Sequence, residues 1–259
     1  MQPSCGMHEA GPAIAEDAFL GGRIRLRQPR RGHRAGTDAV LLAALAAPRE
    51  GETVYDLGAG VGAVGLIVAA RTKARVVFVE REPVLAALCR ENIALNRLDR
   101  RARVIEGDLL APAAVRRERG LAPQSADWVV TNPPFLEEGR GRRSPDVLRA
   151  VAHELPADDL RRWIAGAADL LRPKGHLALI HRADALAACL AHLGRGFGAV
   201  AIRPVHPAPG EAAIRILITA VKASRAPSRL LPGLVLHDAA GAFTPEAQAL
   251  HRGESLLVA

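Results

Sequence analysis

From Thr53 onward, short apolar runs alternate with longer amphipathic stretches along the chain. Short apolar runs bounded by turn residues read as buried strands, and the longer segments between them as helices packed on a sheet. Strands are predicted at 54–57, 75–80, 103–106, 127–131 and 177–180, and helices at 63–71, 83–97, 158–171 and 183–193. Pro83 suits the first position of its helix, and Pro173-Lys174-Gly175 stops the helix at 158–171. The connector 108–124 holds a short basic helix at 113–119, and the long segment 136–156 holds another at 147–154. Two closing strands, 199–205 and 212–221, form a hairpin through Pro207-Ala208-Pro209-Gly210. Alternating strands and helices predict a mostly parallel α/β sheet covered on both faces, and the hairpin inserts one antiparallel strand into seven.

Upstream, Phe19-Leu20-Gly21-Gly22-Arg23-Ile24-Arg25-Leu26-Arg27 reads as a hairpin turning at the two glycines, with Ile24 and Leu26 alternating with arginine. Residues 39–47 read as an apolar helix stopped by Pro48, with Thr37 or Asp38 as its N-cap. Past the closing hairpin, a strand is predicted at 234–236 and a helix near Thr244-Pro245-Glu246. The expected organisation is a loose tail at 1–17, one domain at 18–221, and an extension at 222–259 packed on that domain.

The chain has 259 residues and is 49% apolar, enough for a sizeable core. No apolar run reaches the roughly 18 residues that would span a membrane. The first residues lack a basic start and an apolar core, so no signal peptide is predicted. Cys5, Cys89 and Cys189 lack metal or redox spacing, which points to a reducing cytoplasm. The net charge is +8 with 32 arginines and three lysines. That balance fits a polyanion such as nucleic acid, and equally an arginine-biased proteome.

The candidate chemistry lies at the carboxyl ends of the first four parallel strands. Asp56-Leu57-Gly58-Ala59-Gly60-Val61-Gly62 joins a strand to a helix. Its glycines allow close backbone approach, and the helix N-terminus favours negative or polar groups. Gly58, Gly60 and Ala63 also satisfy a dinucleotide fingerprint, so the turn alone does not separate NAD from S-adenosylmethionine. Glu80 ends the second strand, where a carboxylate can accept from two ribose hydroxyls. Asp108 and Leu109 follow the third, where a carboxylate can accept from an adenine amino group. The fourth strand leads into Asn132-Pro133-Pro134-Phe135, a stiff extended turn. The Asn132 side-chain oxygen and the Pro133 carbonyl can take both N–H bonds of a planar amino group and aim its lone pair, while Phe135 offers a stacking face. No metal-ligand pattern is present.

These residues resemble class I S-adenosylmethionine-dependent methyltransferases of the amino-methylating branch. Within it the chain is similar to the bacterial tRNA(Val) N6-adenine methyltransferase family, which modifies the adenine next to the anticodon. The likeness runs from about Phe19 to Gly253. It rests on 34–42 (Arg-Ala-Gly-Thr-Asp-Ala-Val-Leu-Leu), Asp56 to Gly60, Asn132 to Phe135, Ala152-His153-Glu154 and Ile180-His181-Arg182. It implies the Rossmann-like class I methyltransferase fold, S-adenosylmethionine as donor and an RNA substrate, most simply tRNA. It also implies a monomer or homodimer, with Gly36, Thr37 and Asp38 bordering the methionine end of the donor. Phe135 stands where tyrosine is commoner, and the extension exceeds the usual length.

Three other readings are weighed. A protein glutamine N5-methyltransferase shares the chemistry, but is expected to carry a helical domain before the fold. An inactive RNA-binding protein would keep the donor pocket without turnover. An NAD-linked oxidoreductase explains the glycines but not Asn132 to Phe135.

Overall fold

The computed structural model describes residues 13–31, 34–134 and 157–257. The predicted helix at 147–154, the arginines 140, 142 and 143, His153 and Glu154 lie outside that set. The chain opens with an antiparallel hairpin, β1 (Ile14–Phe19) and β2 (Ile24–Pro29), paired Phe19↔Ile24 to Ile14↔Pro29. Its first strand therefore begins inside the stretch expected as a loose tail. Leu26 and Ile24 are buried while Arg25 and Arg27 face outward, as the alternation predicts.

Helix α1 (Thr37–Leu45) is buried along nearly its whole length. Its N-cap is Gly36, whose carbonyl takes the Ala39 and Val40 amides, and neither Thr37 nor Asp38 caps. Both side chains are committed to tertiary partners described below. Then follow β3 (Thr53–Leu57), α2 (Ala63–Arg71), β4 (Arg75–Glu80), α3 (Pro83–Leu95), β5 (Ala102–Glu106), α4 (Ala113–Glu118) and β6 (Ala126–Thr131). After the undescribed segment come α5 (Ala157–Leu170), β7 (Leu171–Arg182), α6 (Leu186–Leu193), β8 (Phe197–His206) and β9 (Arg215–Lys222). Strand β7 starts earlier than predicted. Leu171 pairs with Ala126 and His176 with Trp128, so the Pro173-Lys174-Gly175 stretch loops out between the two contacts.

With β10 (Arg229–Leu230) at one edge, the strand order is β10-β8-β9-β7-β6-β3-β4-β5. Strands β3 to β7 are mutually parallel where they pair, and β9 lies antiparallel between β7 and β8. The sheet has nine strands rather than seven, because the extension adds β10 (Arg229–Leu230) and β11 (Leu234–Val235) beside β8. Helix α7 (Pro245–Arg252) is capped by the Thr244 hydroxyl, which accepts from the Ala247 amide, and stops at left-handed Gly253. The end of the extension lies along α1, where the Leu257 amide donates to Ala44 at 2.8 Å.

Period two divides the sheet between two cores. Val54, Val76, Phe78, Trp128, Val130 and Ile180 face α1, α2 and α3. Tyr55, Leu57, Val77, Val79, Val129 and Leu179 face α5 and α6. The chain runs outward from β3 to β5 and then returns to β6 on the other side of β3. Ligands of open α/β sheets bind at such a reversal, outside the carboxyl ends of the strands.

Candidate active site

Strand register brings the two key turns together. Leu57 pairs with Thr131, so the glycine turn after β3 and the Asn-Pro-Pro turn after β6 leave the sheet side by side. Between them lies a cavity of about 460 Å³. Gly36, Thr37 and Asp38 line it, as do Asp56, Gly58 and Gly60, then Glu80, Asp108 and Leu109, and finally Asn132, Pro133 and Pro134. Phe135 lies outside the described residues.

The glycine turn is held by geometry that only glycine adopts easily. Gly58, Gly60 and Gly62 have φ of 69°, 56° and 91°. The Gly58 and Ala59 amides both donate to the Val79 carbonyl, at 2.9 and 3.0 Å. A Cβ on Gly58 would sit 3.1 Å from the Trp163 ring, and one on Gly62 would sit 2.6 Å from Cys89 Sγ. The turn is thus pinned on β4 and pressed between α3 and α5.

Three acids surround it, each bonded differently. Glu80, 7% exposed, accepts from the Gly60 amide through Oε2 at 2.7 Å and from the Glu82 amide through Oε1 at 2.9 Å. The Arg81 amide bonds it as well, so three backbone amides hold a carboxylate that lines the cavity. Burial raises its pKa, against the pull of those amides. Asp108 is exposed and accepts from the Leu110 amide through Oδ1 at 2.8 Å. Asp56 points to the α2 face and accepts from the Gly65 amide at 2.8 Å. It is 2% exposed, and burial, reinforced by Glu80 and opposed by that amide, pushes its pKa up to about 7.

That shift has a consequence for stability. The folded chain keeps the Asp56 proton between the ordinary value of 3.8 and about 7, where the unfolded chain has lost it. Its contribution is full below the unfolded value and is lost as pH rises through that window, amounting to a few kcal/mol at most. Asp56→Asn keeps an oxygen for the Gly65 amide without the charge. Thermal melts from pH 5 to 8 should show this variant gaining on the wild type as pH rises. Parallel curves would contradict the assignment.

At the other turn, Asn132 is half-buried and Pro133 is buried. The Asn132 Oδ1 atom is shielded from solvent and has no hydrogen-bond partner among the described residues. Buried acceptors are almost always satisfied, so this one points to a missing donor group. Below it the strand end is braced. Trp163 Nε1 donates to Thr131 Oγ1 at 2.9 Å, and Thr131 Oγ1 donates to the Leu57 carbonyl at 3.0 Å.

The wall opposite is the start of α1. Thr37 Oγ1 lies 3.4 Å from His251 Nε2 of α7. Arg215 of β9 donates through Nε to Asp38 at 3.0 Å. Phe243 packs against His251, with ring centroids 4.6 Å apart, so the extension buttresses the cavity. Trp163, Arg215 and His251 escape a motif reading because each reaches the site from a distant element. The only hint of Trp163 is a rare tryptophan on the helix after the Asn-Pro-Pro turn. His181, at the end of β7, is held neutral by burial, with its pKa down to about 4. No cluster able to hold a metal ion occurs among the described residues.

The site therefore offers a glycine turn, strand-end carboxylates and an unsatisfied acceptor in one cavity of ligand size. The methyltransferase small domain family model matches residues 34–205. A tRNA1(Val) (adenine(37)-N6)-methyltransferase of Porphyromonas gingivalis is 31% identical over 239 residues, covering 89% of this chain and 91% of that protein. The enzyme of the same description from Aeromonas salmonicida is 30% identical, over 61% of this chain and 63% of its own. Among solved structures, a predicted O-methyltransferase, protein Atu636 of Agrobacterium tumefaciens, is 34% identical with a TM-score of 0.72, covering 85% of this chain and 98% of that one. TYW2 of Pyrococcus horikoshii, solved with MeSAdo, has a TM-score of 0.53 at 14% identity and shares the fold alone.

Proposed function

The chain belongs to the methyltransferase small domain family, and from that premise we propose that it transfers the methyl group of S-adenosylmethionine to the N6 amino group of an adenine in tRNA. The observation that carries the amino-group reading is the buried, unpartnered Asn132 Oδ1 beside the glycine turn. The tRNA substrate is supported by the relatives named for it and by the net charge of +8.

The residues present fit this donor. Glu80 would accept from its ribose hydroxyls, Asp108 from its adenine amino group, and Gly58 and Gly60 would let the backbone lie close against it. Thr37, Asp38 and Asp56 would surround its amino-acid end. Bound there, the donor supplies a methyl group activated by a sulfonium leaving group. Asn132 Oδ1 and the Pro133 carbonyl then accept the two N–H bonds of the substrate amine. An exocyclic amine is a weak nucleophile because its lone pair is delocalised into the ring. Two fixed acceptors turn that lone pair out of the ring plane and stabilise the positive charge that develops on nitrogen. A strong base is unnecessary, since the surplus proton leaves after transfer. Two acceptors match an amine with two hydrogens better than a hydroxyl with one, which sets this site apart from O-methylation. The adenine must be presented unstacked, as in a loop.

Purified protein, labelled donor and unmodified tRNA form the test, with nucleosides read by mass spectrometry. N6-methyladenosine in the tRNA fraction is the expected product. Label found only in protein glutamine, or in no RNA at all, would overturn the substrate.

A further inference from the structure

We propose that Asn92 is a positioning residue for the donor, joining two walls of the donor cavity that belong to separate parts of the fold. This rests on the reading of that cavity as the donor site.

Among the described residues, the outer edge of β2 is not paired with a strand. It is served instead by two asparagines one turn apart, Asn92 on α3 and Asn96 at its C-cap. The Arg25 amide donates to Asn96 Oδ1 at 2.9 Å, and Asn96 Nδ2 donates to the Arg25 carbonyl at 2.7 Å. The Arg27 amide donates to Asn92 Oδ1 at 2.8 Å, and Asn92 Nδ2 donates to the Arg27 carbonyl at 2.8 Å. The rise of a helical turn is close to the spacing of alternate strand residues, so the two side chains act as a substitute strand.

The two asparagines differ in one respect. Asn92 is fully buried and uses its second N–H on the Val61 carbonyl at 2.9 Å, inside the glycine turn. Asn96 makes no bond to that turn; its second N–H goes to the Asn92 carbonyl within α3. One amide thus holds the hairpin and the glycine turn at a set separation. The hairpin continues into the opposite wall of the cavity. Gln28 Oε1 accepts from the Ala35 amide at 2.9 Å, and Asp17 takes both Gln28 and Arg34, which aims the chain at Gly36 and Thr37. Asn92 lies behind the wall and touches no donor atom itself. Its effect is on the width of the cavity and hence on donor affinity.

The comparison is made on the full chain with Asn92→Ala and Asn96→Ala, using calorimetric binding of S-adenosylhomocysteine and steady-state methylation. Each variant loses its own pair of hairpin bonds, to Arg27 or to Arg25, so a role confined to holding the hairpin lowers the Tm of both without separating donor KM from kcat. Asn92→Ala should weaken S-adenosylhomocysteine binding by about tenfold or more and raise the donor KM to match, with kcat at saturating donor retained. Asn96→Ala should bind near the wild-type level. Asn92→Ser, which gives up the reach but makes a smaller void, is read in the same way if Asn92→Ala does not fold. Equal affinities for the two variants, or a loss in kcat without a change in donor KM, would overturn the proposal. A wild-type protein that does not bind S-adenosylhomocysteine would instead overturn the donor site. Normal binding without tRNA methylation would overturn the substrate and leave the role of Asn92 intact.

Discussion

Asn132→Ala is expected to lower kcat for methyl transfer by about 10²–10³-fold while donor binding stays close to normal. The Asn132 oxygen is buried and has no hydrogen-bond partner among the described residues, so no described group competes for it. Its proposed value lies in being held in place when the substrate amine arrives. The Pro133 carbonyl survives the substitution, since it belongs to the backbone, and so does the extended path set by the two prolines. On the proposed reading, what is lost is one of two acceptors, and with it the control of lone-pair direction. Asn132→Asp separates this role from plain packing, because it keeps an acceptor oxygen in the same place and should retain more activity than Ala. Single-turnover methylation of tRNA with each variant reads the effect directly. An Ala variant with wild-type turnover would remove Asn132 from the chemistry.

The second large effect is on stability. Gly65 lies within α2, where Gly→Ala ordinarily stabilises by up to about 1 kcal/mol. Here the sign reverses. A Cβ at Gly65 would sit 2.4 Å from Phe78 Cε1, 2.8 Å from its Cζ and 2.9 Å from Val76 Cγ1. Phe78 is fully buried, and both neighbours belong to β4, which is paired on both sides by β3 and β5, so neither yields cheaply. Overpacking of this kind costs about 1–3 kcal/mol, equivalent here to a Tm lower by several degrees. The Gly65 amide also donates to Asp56, so a displaced α2 carries the acid and the glycine turn with it. Weaker donor binding should accompany the lower Tm. Adding Phe78→Leu makes room, and the double variant should be more stable than the sum of the two single losses. A Gly65→Ala protein with unchanged or raised Tm would show that α2 can move without cost.

The legible parts of this molecule are those governed by neighbouring residues. Apolar runs at Val54, Val76 and Trp128 announced parallel strands because strands buried on both faces need apolar side chains on both. Gly58, Gly60 and Gly62 announced a tight turn because positive φ excludes most other residues. Pro133 and Pro134 ended β6 because neither can donate to a ladder. The carboxyl-edge residues could therefore be chosen in advance, and the strand order places them around one cavity. The N-cap of α1 misled, because Thr37 and Asp38 are good capping residues that spend their side chains on His251 and Arg215 instead. The outward alternation of the hairpin arginines was legible, but their partners were not. Arg25 and Arg27 pair with Glu16, and their backbone is held by α3.

Periodicity, turn chemistry and the order of motifs were thus enough to specify the fold class and the strand-end residues, Asn132 and Pro133 among them, that line the cavity. Those constraints act within a few residues, so they can be read along the chain. Bringing Trp163 to Thr131, Asn92 to both Arg27 and Val61, and His251 to Thr37 required the packed protein. Each contact joins residues tens to hundreds of positions apart, and no local rule of backbone or side chain records which distant partner will fill a given place.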